Sequence, residues 1–257
     1  MIPYHWRWVV DDYREDPYPL SQLIKKSGRW AHHRKLLAER DARTITEARK
    51  LGLELIPKTG SFSLYHEFFG TDMYRHPAFR PGKRDVVLDV GTCLGEYAMW
   101  CAKAGATVHA FEALSENYEV LVQNIHINDL DRQIHPHFGL VGCYNGKGSI
   151  GRSEGGQMAE GDGDEIVPAF DLDSFRFAPT LVKIDVEGTE MSVLKGASST
   201  LDASHPRLIV ETHTRLLRKE VDRWLDEQGY DLIYVDRVLH DATPKFDEIS
   251  NRYYLPH

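Results

Sequence analysis

An apolar run that closes on Asp-x-Gly-x-x-x-Gly constrains this chain more than anything else in it. Residues Val86-Val-Leu-Asp-Val-Gly-Thr-Cys-Leu-Gly-Glu96 are followed by a second apolar run ending in an acid, Val108-His-Ala-Phe-Glu112. Unbroken apolar runs suit strands buried on both faces, the condition of a parallel sheet covered by helices. A glycine turn after the first strand and an acid closing the second place a ligand at the carboxyl ends of neighbouring strands. The pattern predicts an α/β fold before any other residue is read.

The loop between the two strands indicates which ligand. A dinucleotide turn of the form G-x-G-x-x-G, counted from Gly91, needs glycines at 93 and 96, where this chain has Cys93 and Glu96. A carboxylate at 96 would repel a pyrophosphate. S-adenosylmethionine (SAM) carries no phosphate, so it asks only for a tight turn at Gly91 and a close helix approach at Gly95. Glu112, about 20 residues beyond the turn, can accept hydrogen bonds from ribose hydroxyls in either case. The loop therefore points to SAM, with a nucleotide-dependent oxidoreductase on a similar sheet as the disfavoured alternative.

With 257 residues, 42% of them hydrophobic, the chain can fold one sizeable α/β domain with an accessory segment. A net charge of −8 argues against a nucleic-acid partner, because phosphate affinity comes from clustered Lys and Arg. Cys93, Cys101 and Cys143 lack C-x-x-C spacing and are odd in number, which predicts neither disulfides nor a zinc site and suits a reducing cytoplasm. The first residues carry no export signal, and no apolar run approaches the ~20 residues of a membrane span.

Residues 1–84 are expected to form a helical N-terminal extension, with helical spacing over Leu20 to Arg40 and Thr44 to Leu51, and a short strand or entry loop over Ser61 to Phe69. Residues 85–257 are expected to form the main domain. Strands are predicted near 85–90, 106–111, 133–139, 180–186, 206–212 and 230–236, and helices near 94–104, 115–127, 189–201 and 215–228. The run Arg252-Tyr-Tyr-Leu255 should pair antiparallel with the sixth strand, giving six parallel strands and one reversed. Gly151 to Glu165 reads as a solvated loop or lid, and Val167 to Phe175 as a short helix-like run.

Charges at two later strand ends carry the chemistry. In Leu181-Val-Lys-Ile-Asp-Val-Glu-Gly-Thr-Glu190, the alternation puts Lys183, Asp185 and Glu187 on one side of an extended strand. Charges there must be paired or used, and a structural pairing of Lys183 with an acid is the simpler reading. Arg207-Leu-Ile-Val-Glu-Thr-His213 ends with Glu211 and His213 on one side. All these acids should meet where a sulfonium methyl would be presented to an acceptor hydroxyl. His213 is the natural general base for that proton, because an unperturbed histidine titrates near 6.5. Asp185 or Glu211 could take the role or orient the histidine. Hard oxygen ligands of Asp185 and Glu211 would suit magnesium, but nothing in the spacing demands a metal, and none is assigned.

Together with Asn124-Ile-His-Ile-Asn128, Leu172-Asp173 and Val193-Leu-Lys-Gly-Ala197, these motifs resemble the FkbM family of SAM-dependent class I methyltransferases over about residues 65 to 215. The resemblance implies a Rossmann-like sheet and O-methylation of a small-molecule hydroxyl acceptor such as a sugar or polyketide. It also implies that Asp89, Gly91 and Gly95 surround the methionine part of SAM and that Glu112 holds the ribose. Thr92, Tyr97, Ala113 and Asp185 complete the cofactor-binding set. Asp185 and Glu187 would lie beside the methyl and acceptor, with Glu211 and His213 in the catalytic group. The family usually shows Gly-Ala-Asn-Ile-Gly and Phe-Glu-Pro where this chain has Gly-Thr-Cys-Leu-Gly and Phe-Glu-Ala. A SAM-binding protein without catalysis stays open as an alternative, and so does the oligomeric state, a homodimer included.

Overall fold

The computed structural model describes residues 29–56, 61–71, 73–152, 158–160, 163, 165–237 and 249–257. The apolar runs form a seven-stranded sheet: β1 (Val86–Val90), β2 (Thr107–Glu112), β3 (Ile134–Phe138), β8 (Leu181–Ile184), β9 (Arg207–Thr212), β10 (Tyr230–Arg237) and β11 (Ser250–Pro256). Its order is β10-β11-β9-β8-β1-β2-β3, with β11 inserted antiparallel to both β9 and β10. This gives the expected six strands in one direction and one reversed. The residues numbered 1–28, and with them the start of the predicted Leu20 to Arg40 helix, lie outside the described residues.

Period-two alternation divides each strand between two cores. Val87, Ile209 and Tyr253 face the helices α3 (Glu96–Lys103) and α4 (Ser115–Ile127). Leu88, Val90, Leu208, Val210 and Tyr254 face α5 (Glu190–Gly196), α6 (Ser198–Ser204) and α7 (Arg215–Glu227). The single helix expected over 189–201 is broken at Ala197. A Cβ at Gly196 would lie 1.9 Å from the carbonyl oxygen of Gly142, so the chain passes too close for a side chain there.

The N-terminal segment differs from expectation in two places. A continuous helix, α1 (Arg29–Lys50), ends in a left-handed Gly52 (φ +67°), with Leu53 N–H donating to Ala48 O and Gly52 N–H to Arg49 O. Ser61–Phe69 forms α2, not a strand or loop; Tyr65, Phe68 and Phe69 fall at helical spacing and are buried together. Residues 53–56 are clasped by α4: Asn128 Oδ1 accepts from Glu54 N–H (2.8 Å), and Asn124 Oδ1 accepts from Ile56 N–H (2.9 Å). The Asn124 to Asn128 run therefore fastens this segment to the domain.

The region read as a loop carries a second sheet. β4 (Leu140–Val141), β5 (Gly146–Arg152), β6 (Met158–Glu160) and β7 (Glu165–Phe170) pair in the order β4-β7-β5-β6. The ends of the predicted loop are thus strands, because Ile150 and Val167 supply a small buried core that glycine content alone obscured. Likewise the helix-like run from Val167 is β7 followed by a 3₁₀ turn at Asp173–Phe175.

Candidate active site

β1, β2, β8 and β9 deliver their last side chains to one edge of the sheet. At β1 the fully buried Asp89 accepts from Thr92 Oγ1 at 2.6 Å, so Thr92 sets the carboxylate's orientation. The turn that follows uses Gly91 at φ +75°, where a Cβ would sit 1.8 Å from the carbonyl oxygen of Asp185. Gly95 is required by its backbone (φ +92°), and the nearest group to a Cβ there would be Leu121 Cδ1 of the neighbouring helix at 2.6 Å.

Glu112 ends β2 and accepts one backbone N–H on each oxygen, from Cys93 and from Leu114, both at 2.8 Å. Burial raises its pKa to about 7 against these bonds. Cys93 reaches it from a left-handed conformation (φ 56°). Glu96 accepts from Leu94 N–H at 3.2 Å and is also pushed up to about 7 by burial. Tyr97 is buried in a ring cluster with Phe68, Tyr74 and Trp100, while Ala113 packs part-buried against the small core of Leu140, Ile150, Val167 and Ala169. Phe111 stacks on His137 at 4.5 Å and belongs to the core.

Lys183 joins this region to the next. Its Nζ lies 3.4 Å from both Asp89 Oδ1 and Asp185 Oδ2, and donates to Gly91 O at 3.0 Å. Burial alone would lower its pKa, but Asp89 and Asp185 outweigh that and hold it charged. The structural pairing expected for this lysine is what the geometry shows.

On the far side, Asp185, Glu187, Glu211 and His213 come together as their spacing predicts. His213 Nε2 lies 3.1 Å from Glu187 Oε2, 3.4 Å from Glu211 Oε1 and 3.8 Å from Asp185 Oδ1, while Nδ1 is 3.0 Å from Glu190 Oε1. The imidazole is 6% exposed, whereas Asp185 and Glu187 are 24% and 26% exposed. Burial would lower the histidine's pKa, yet the carboxylates of Glu187, Glu190 and Glu211 beside it raise it well above the ordinary value. Burial and Glu211 push Asp185 upward, whereas Glu211 is held below the usual range, the adjacent His213 and the Tyr74 hydrogen bond outweighing its own burial.

Three residues of this site were missed. Tyr74, from the N-terminal segment, donates to Glu211 Oε2 at 2.9 Å and lies 3.4 Å from Asp185 Oδ2, in a left-handed backbone (φ 62°). No sequence pattern links it to strands more than a hundred residues away. Glu190 was read as the end of a motif and a helix start; it is fully buried, and Gly188 N–H donates to it at 3.0 Å. Thr189 holds the N-cap position but turns its hydroxyl to Val186 O. Asn251, on β11 directly across from Glu211, is fully buried with neither amide atom partnered. It lies one residue before the Arg252 to Leu255 run read as a strand, which the structure extends back to Ser250.

Comparison with known proteins now decides the kinship, for the Methyltransferase FkbM domain matches residues 89–232, more than half of the chain. The chain belongs to the FkbM methyltransferase family. It is 30% identical over 159 residues to the hexuronic acid methyltransferase AglP of Haloferax volcanii, a match covering 56% of this chain and 62% of that protein. The crystal structure of the FkbM methyltransferase of Methylobacillus flagellatus shares its fold at a TM-score of 0.50 and 18% identity, over 82% of this chain and 59% of that one. The FkbM chain described here thus spans about three fifths of each relative. Among its described residues, no helix is long and apolar enough to cross a membrane.

Proposed function

We propose that this chain is a SAM-dependent O-methyltransferase acting on a hydroxyl of a sugar or similar small molecule. The observation that carries the reading is the Lys183 bridge, which ties buried Asp89 of β1 to Asp185 just beyond β8 and so joins the two halves of the sheet edge. The residues fit SAM: each Glu112 oxygen spends one lone pair on a backbone N–H and keeps capacity for a ribose hydroxyl. Buried Asp89 Oδ1 has no hydrogen-bond donor of its own beyond the 3.4 Å approach of Lys183. When bound, SAM supplies a methyl already activated on a sulfonium, so the protein's share is positioning and proton removal.

For proton removal, the two accessible carboxylates, Asp185 and Glu187, are the groups an acceptor hydroxyl can reach. His213 positions them. AglP, named for a hexuronic acid acceptor, directs the choice of acceptor toward acidic sugars. Glu112→Gln should weaken SAM binding about 10- to 100-fold by calorimetry, the loss of one charge-assisted hydrogen bond or two. Incubation with hexuronic-acid saccharides should yield a product heavier by one methylene. Unchanged SAM affinity in Glu112→Gln would remove the cofactor assignment; tight SAM binding with no product from any hydroxyl acceptor would favour a non-catalytic SAM-binding protein.

A further inference from the structure

His213 is held in a way its surroundings do not satisfy. Nδ1 is fixed by fully buried Glu190, which leaves Nε2 directed among Glu187, Glu211 and Asp185. Despite distances of 3.1–3.8 Å, Nε2 is buried and meets hydrogen-bond geometry with none of them. The carboxylates of Asp89, Asp185, Glu187, Glu190 and Glu211 also outnumber the ammonium of Lys183. Buried negative charge of this density calls for a cation.

We propose that Asp185, Glu211 and His213 form a divalent-cation site that holds the acceptor oxygen, with Glu190 as the residue that positions the histidine. One ligand atom from each of the three lies within 4.8 Å of the others. An ion with bonds of about 2.0–2.3 Å spans ligand pairs roughly 3–4.5 Å apart, so little closure is needed. A histidine whose other ring nitrogen is held by a carboxylate is the usual outer support of a metal ligand. Two carboxylates and one imidazole suit an ion of intermediate hardness such as manganese. Tyr74 holds the other Glu211 oxygen, Oε2, leaving Oε1 turned toward His213.

The ion's binding stands independently of the methyltransferase reading; only its task rests on that reading. As a Lewis acid it lowers the pKa of the acceptor hydroxyl. That hydroxyl gives its proton to Glu187, its oxygen forms the new bond to the methyl carbon, and the sulfur–methyl bond breaks with its electron pair kept on sulfur.

The test uses the whole chain, stripped with chelator and titrated with Mn2+ by calorimetry, followed by pulsed electron paramagnetic resonance of the bound ion. One ion per chain with a nitrogen coupling from an imidazole is expected, and the wild-type protein alone suffices for this readout. His213→Ala should abolish the nitrogen coupling, and Glu190→Gln should weaken Mn2+ about 10- to 100-fold while SAM affinity stays unchanged. Absence of Mn2+ binding at millimolar concentration, or a bound ion without nitrogen coupling, would overturn the site. Mn2+ binding with the coupling in a protein that does not bind SAM would uphold the site and sink the functional reading instead.

Discussion

The two sides of this site treat buried carboxylates in opposite ways. On the side proposed to hold the methyl donor, Glu112 is held by backbone N–H groups of its own and the preceding loop, and Asp89 by a hydroxyl three residues away. On the side proposed to meet the acceptor, Glu211 depends on Tyr74 and His213 depends on Glu190, groups brought from other segments. The first side is thus held mainly by the two loops that follow β1 and β2. The second is assembled only when the tertiary fold is complete, and it retains an excess of negative charge.

Lys183 is where the two regimes meet, and its removal gives the largest expected effect. Lys183→Met keeps the volume but leaves Asp89 and Asp185 without their shared cation, and breaking a buried pair in this way costs about 3–5 kcal/mol. Thermal unfolding should therefore fall by roughly 10 °C. Adding Asp89→Asn should recover part of the loss, because the unpaired buried charge is then removed. A loss under about 1 kcal/mol in Lys183→Met would show that the two sides are not coupled through this residue.

The contrast also explains what the sequence could reveal. Asp89, Gly91 and Glu112 were legible because strand period, turn and acid are all local, and local chemistry repeats at fixed spacing. The convergence of Asp185, Glu187, Glu211 and His213 was legible for the same reason, each pair lying on one side of its own strand. Tyr74 and Glu190 were not: their roles depend on how α2 and α5 pack, which no spacing encodes. His213 was placed correctly, but the upward shift of its pKa was missed, since an imidazole's proton affinity is set by the carboxylates that the fold packs around it. The second sheet was missed because β5 carries its glycines where backbone pairing, not side-chain packing, holds the strand.

A pH experiment sharpens the donor half of the comparison. Glu112 and Glu96 each have a folded pKa of about 7, raised by burial above an ordinary value of 4.5. A raised folded pKa means that each group's stabilisation is fully present below 4.5 and is lost as pH rises through 7. Metal-free and SAM-free protein should therefore lose about 5–10 °C in Tm between pH 6 and pH 8, from these two groups. Glu112→Gln should flatten that slope. SAM affinity should run the other way and rise over the same window, because a ribose hydroxyl donates better to a carboxylate than to a carboxylic acid. Parallel slopes for stability and affinity would mean that Glu112 does not meet the ribose.

The smallest effect concerns the loop's departure from its family. Cys93 occupies the left-handed region at φ 56°, a conformation that asparagine tolerates far better than a thiol-bearing side chain. The family usually has asparagine there, and the backbone N–H at this position is the one that reaches Glu112. Cys93→Asn should therefore raise stability by up to about 1 kcal/mol, a few degrees in Tm, with SAM affinity unchanged. The gain is limited because Cys93 Sγ accepts from Asn117 Nδ2 at 3.7 Å, a weak contact that the substitution exchanges for an amide. A destabilised Cys93→Asn variant would show that the thiol's packing, rather than backbone geometry, fixes the loop, and the donor side would then be less self-sufficient than its hydrogen bonds indicate.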